Sequence, residues 1–128
     1  MSDITIVNTD KAPKAIGPYS QAVNVGGRIF TSGQIGIIPE TGEMVQGGVE
    51  AEAKQALDNL KAVLQAAGSE MRYVTKTTVF IKDMGDFNTV NKIYGQYFEA
   101  PYPARSCIEV SRLPKDARIE IEAIAFVP

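Results

Sequence analysis

The sequence predicts an α+β domain: a β-sheet with two helices packed on one of its faces. Three observations predict it. Two stretches, 49–67 and 87–98, carry apolar residues at helical spacing. Shorter stretches alternate with period two or are rich in β-branched and aromatic residues, as strands are. The two kinds of segment follow one another without repeats, low-complexity tracts or a linker, so residues 1–128 are read as one domain.

Ile4-Thr5-Ile6-Val7 reads as a short strand. Residues 8–21 connect it onward through Pro13, Gly17 and Pro18, and Tyr19 follows on a backbone that Pro18 stiffens. Taken alone, Tyr19 is an amphipathic loop residue with its hydroxyl in water. Residues 22–25 and 28–32 flank Gly26-Gly27, a two-residue link suited to a type I′ or II′ hairpin. The second of these strands ends in Ser32-Gly33-Gln34, where a glycine admits close approach to the backbone. Pro39-Glu40-Thr41-Gly42 is a turn.

Over 49–67 the apolar positions form one stripe, with Glu50 and Glu52 in the first turn and Gly68 as the stop. Glu52, Lys54, Asp58 and Lys61 fall on the opposite, solvated face. Residues 73–83 are a strand, and Asp86 caps a second helix over 87–98. Its stripe is Phe87, Val90, Tyr94, Tyr97 and Phe98, and Asn91 shares it by its i+4 and i−3 spacing. An Asn on an apolar face sits at the rim or bonds a backbone group.

The last segment alternates on both sides of Leu113-Pro114-Lys115-Asp116, which reads as a turn, so it predicts a β-hairpin. Arg105, Cys107 and Glu109 share one face of its first strand. On the second, Ile119, Ile121, Ala123 and Ala125 are the apolar face, and Glu120 and Glu122 stand opposite with Ile124 and Phe126. Such charges either face solvent or line a site. With the turn over 112–117, the simplest register pairs Glu109 with Glu120 and Arg105 with Ile124. That leaves Arg105 roughly 13 Å from Glu120's partner.

Composition narrows the chemistry. The net charge is −2 with no histidine, which removes Ser-His-Asp and Cys-His catalysis and most zinc sites. No ligand cluster has metal spacing, and neither metal nor cofactor is expected. Any catalysis must use carboxylate, Tyr, Ser, backbone amides, Lys or Arg. An acidic chain lacks the excess Lys and Arg of a nucleic-acid footprint. No apolar run could span a bilayer, and Met1-Ser2-Asp3 is not expected to open a signal peptide. One Cys fits a reducing, cytoplasmic setting.

Several motifs together resemble the Rid family of reactive imine and enamine deaminases. They are Ala15-Ile16-Gly17-Pro18-Tyr19-Ser20-Gln21-Ala22, Thr31-Ser32-Gly33-Gln34-Ile35, Lys76-Thr77-Thr78-Val79-Phe80-Ile81-Lys82-Asp83, Pro103-Ala104-Arg105-Ser106-Cys107, Leu113-Pro114-Lys115-Asp116 and Ile119-Glu120-Ile121-Glu122-Ala123. The resemblance implies a chorismate-mutase-like fold, assembled as a homotrimer with ligand sites in the clefts between subunits. It implies hydrolysis of 2-imino or 2-enamino acids, such as 2-iminobutanoate and 2-iminopropanoate, to 2-oxo acids and ammonia.

By the same resemblance Arg105 holds the substrate carboxylate, and Tyr19 and Asn91 contact the ligand. Glu120 positions a water, a choice over Glu122 that the bare pattern does not make. Backbone amides near Gly33 or Cys107, with Tyr19 and Ser32 at the rim, are expected to hydrogen-bond the substrate. Cys107 is expected to shape the pocket rather than attack. The gap between Arg105 and Glu120 suggests that the two meet across a subunit boundary. The rival reading is a non-enzymatic binder of 2-oxo acids or similar small metabolites.

Overall fold

A computed structural model describes residues 3–128. Over those residues the order is β1 (Ile4–Val7), β2 (Ala22–Val25), β3 (Arg28–Thr31), α1 (Gly48–Ala66), β4 (Val74–Ile81), α2 (Phe87–Tyr94), β5 (Ala104–Glu109) and β6 (Ile119–Phe126). The expectation about Met1 and Ser2 lies outside the described residues. No helix among the described residues is long and apolar enough to cross a membrane.

The strands form one mixed sheet in the order β1-β2-β3-β6-β4-β5. Strands β2 and β3 are the expected hairpin: Gly26 and Gly27 join them with φ of 59° and 88°. Two positive φ values in sequence make a type I′ turn, which glycine adopts without strain.

The C-terminal segment is not the hairpin that its alternation predicted. Strand β4 lies between β5 and β6, parallel to the first and antiparallel to the second. The expected pairs of Glu109 with Glu120 and Arg105 with Ile124 therefore do not exist. The physical reason is burial. Val74, Thr77, Val79 and Ile81 of β4 are buried on one face while Phe80 packs on the other, so β4 has partners for both its sides. Every residue of β5 except Cys107 is exposed, as an edge strand can be. The local turn is real, but it passes over the end of β4.

Ile119, Ile121, Ala123 and Ala125 of β6 are buried with Ile29, Val79 and Ile81 against Leu57, Leu60, Val63 and Leu64 of α1. Each large aliphatic side chain buried there stabilises the fold by about 1.5–3 kcal/mol. Val90, Ile93 and Tyr94 of α2 join the same core, so both helices lie on one face of the sheet. Among the described residues no α-helix covers the other face, and Phe30, Ile108, Ile124 and Phe126 stay exposed on it.

Details of the helices differ from the sequence reading. Gly68 does stop α1: its N–H bonds Gln65 O and the Ser69 N–H bonds Leu64 O. Glu52, however, is buried rather than solvated, because its Oε1 accepts the Arg118 backbone N–H at 2.8 Å. Helix α2 ends at Tyr94, and the Tyr97 hydroxyl instead reaches across to Asp58 of α1 at 2.8 Å. Asp86 makes no side-chain cap, since its φ of −87° and ψ of 0° lack the extended form that a cap needs.

Candidate active site

Arg105 stands on edge strand β5, on the helix side of the sheet, in register with Thr77 of β4. Its Nη1 donates to Asn91 Oδ1 on α2 at 2.6 Å. Its Cζ lies 4.8 Å from the centroid of the Tyr94 ring and 5.6 Å from that of Phe87. Among the described residues Arg105 has no carboxylate partner. The result is an exposed, oriented cation beside a cavity of about 450 Å³ that Asn91, Tyr94, Tyr102 and Pro103 also line. A planar fork in that position suits a carboxylate.

Glu120 stands on β6, on the helix-free side, in register with Phe80. It is half-buried, and its side chain crosses directly over Gly33. A Cβ at that position would come within 2.6 Å of the Glu120 carboxyl carbon. Burial pushes the Glu120 carboxyl above the ordinary carboxylate range, and the charge of Glu122 pushes it the same way. Glu120 and Gly33 line a cavity of about 460 Å³ together with Tyr19, Ile35 and Pro114. Gln21 fixes one wall of it. Its buried side chain accepts from Thr9 N at 2.7 Å and donates to Pro13 O at 2.7 Å, which ties down the loop leading to Tyr19.

These two groups do not meet within one chain. Their register partners on β4, Thr77 and Phe80, are three residues apart, and β4 itself separates β5 from β6. That is roughly 10 Å along the strands and roughly 9.5 Å across them, with side chains on opposite faces. The separation foreseen from the sequence is present, but for a different reason than a hairpin register.

A family model described as Endoribonuclease L-PSP matches residues 9–127. The 2-iminobutanoate/2-iminopropanoate deaminase of Homo sapiens is 57% identical over 121 residues, covering 94% of this chain and 88% of that protein. The chain belongs to the Rid family. The Escherichia coli K12 protein of the same name is 56% identical over 122 residues, 93% of this chain and 94% of its own. Among solved structures, Escherichia coli TdcF with bound serine superposes with a TM-score of 0.91 at 50% identity, covering 95% of this chain and 98% of that one. RidA from an Antarctic Psychrobacter gives 0.93 at 42% identity, covering 96% and 99%.

The remaining expected site residues of this Rid-family chain divide between the two places. Asn91 sits with Arg105, its Oδ1 taken by the guanidinium. Cys107 is half-buried two residues on from Arg105, against the main core. Burial raises its thiol pKa, which Arg105 only partly opposes, so it is a poor nucleophile. Tyr19 and Gly33 sit with Glu120. Ser32 lines neither cavity, and its hydroxyl donates to Ser20 O at 2.6 Å. The sequence reading left Tyr94 in the apolar stripe and did not single out Gln21. Their spacing to Asn91 and Tyr19 was the only sign of either role.

Proposed function

We propose that this protein hydrolyses 2-iminobutanoate and 2-iminopropanoate to the 2-oxo acids and ammonia. The observation that carries the reading is a pair of complementary half-sites, one cationic and oriented, one acidic and desolvated, in a chain 55–57% identical to deaminases of human, mouse and Escherichia coli. The TdcF relative holds serine, an amino acid with the same carboxylate.

In this reading the substrate carboxylate takes the guanidinium edge that Asn91 leaves open, and the imine carbon is thereby placed. Glu120 accepts a proton from water as its oxygen bonds that carbon, while the C=N electron pair moves to nitrogen and is protonated. The hydroxyl proton then leaves, the C–N bond breaks and ammonia departs. Glu120 carries the protons between the two stages, and its raised pKa makes it a better base near neutral pH. Tyr19 and the Gly33 backbone stand on the same wall and are assigned hydrogen bonds to the reacting groups. An imine is already electrophilic, so no covalent step is needed.

The two halves come together between subunits: Arg105 of one with Glu120 of its neighbour, in a homotrimer of chorismate-mutase-like subunits. The exposed Phe30, Ile108, Ile124 and Phe126 on the helix-free face supply an apolar contact surface for that assembly. Ammonia release from 2-iminobutanoate generated in situ tests the activity. A rate equal to that in buffer alone would leave only a binder of 2-oxo acids.

A further inference from the structure

Three contacts converge on the Arg105 guanidinium, from Phe87, Asn91 and Tyr94, and all three come from one face of α2. Asn91 accepts from Nη1, and the guanidinium lies over the ring of Tyr94, one turn later, with Cζ 4.8 Å from the ring centroid. A hydrogen bond fixes one edge of a planar fork, and a ring fixes its plane. Together they leave the other N–H edge pointing one way.

The ring is itself held. Tyr94 is 7% exposed, and its hydroxyl bonds Thr77 Oγ1 at 2.8 Å, a fully buried contact. Thr77 is the register partner of Arg105 on β4 and lies on the same face of the sheet. The residue beside Arg105 in the ladder therefore pins the ring that stacks on it. Burial raises the Tyr94 pKa, so the hydroxyl stays neutral and available to that bond.

We infer that Tyr94, held by Thr77, is a positioning residue that sets the plane of the Arg105 guanidinium and thereby the strength with which the site takes a carboxylate. The inference rests on the reading of Arg105 as the carboxylate anchor. Its physical content is preorganisation. An arginine on an exposed edge strand otherwise loses rotamer freedom when it binds, and the platform removes that freedom beforehand.

The test measures the dissociation constant of 2-oxobutanoate by titration calorimetry, with kcat alongside. Tyr94→Leu should weaken binding about 2- to 5-fold, the size of one cation–π contact. Its kcat should stay within about twofold, because Tyr94 does not touch the reacting atoms. Tyr94→Phe keeps the ring but loses the Thr77 bond that holds it, so its binding should fall between the parent's and that of Tyr94→Leu. In an Arg105→Ala background the Tyr94→Leu effect should vanish. If Tyr94→Leu does not fold, Tyr94→Met carries the same comparison.

An equal Tyr94→Leu effect with and without Arg105 overturns the inference, as does a Tyr94→Phe protein as weak as Tyr94→Leu. Unchanged binding in Arg105→Ala alone overturns the anchoring reading itself. That failure is read from a different protein and cannot be confused with the first two.

Discussion

The two half-sites solve opposite problems. In the proposed reading Arg105 must be reached by an anion, and it stands exposed on an edge strand with Asn91 and Tyr94 against its guanidinium. As the proposed base Glu120 must outdo a free carboxylate, and it lies over Gly33 beside a partly apolar cavity, with a second carboxylate near enough to raise its pKa further. Desolvation would weaken the first group's usefulness and exposure the second's. One sheet provides both environments because its two faces differ: among the described residues both α-helices pack on one of them and neither on the other.

The sharpest way to break this contrast is to neutralise one side. Glu120→Gln should lower kcat by about 10²–10⁴ while 2-oxobutanoate still binds. The same variant should melt higher than the parent at pH 7–8. A raised folded-state pKa means that the carboxyl's contribution is fully present below the unfolded pKa and is lost as pH rises through the folded one. The gain in thermal stability should therefore shrink as the pH falls. A variant with parental kcat, or one less stable at neutral pH, removes Glu120 from its role.

Mixing the two sides asks whether they belong to one site. Inactive Arg105→Ala and Glu120→Ala proteins, dissociated and reassembled at random into the proposed trimers, should place two intact residues at about a quarter of the interfaces. Activity near that fraction of the parent's supports a shared cleft, and mixed trimers as inactive as their parents count against one.

Smaller effects sharpen each half. Arg105→Lys keeps the charge and loses the fork, so kcat/KM should fall roughly 10- to 100-fold. Gly33→Ala forces the Glu120 carboxyl aside while the backbone can stay, so activity should drop with little change in melting temperature. An equal loss of both would make Gly33 a folding residue only. The mildest is Glu122→Gln. It removes a negative neighbour, so the acid limb of the kcat/KM profile should move to lower pH. A shift to higher pH would mean that Glu122 does not act on Glu120.

Much of this was legible in the chain because it depends on local spacing. The stripe that buries Leu57, Leu60 and Leu64, the Gly26-Gly27 turn and the two faces of residues 119–126 each follow from one period or one backbone restriction. The resemblance of the motifs carried the family, and with it Arg105 and Glu120 as candidates. Strand order was different. Alternation at 104–109 and 119–126 says that each is a strand, and a turn between them says only that the chain reverses. The insertion of β4 between them depended on which strand had the most apolar surface to bury on both sides, a competition among distant segments. Glu52 and Tyr94 were likewise misplaced or unremarked because their partners, Arg118 and Arg105, lie 66 and 11 positions away in a sequence of 128. Periodicity fixes which side of an element a residue occupies; only packing decides what stands there to meet it.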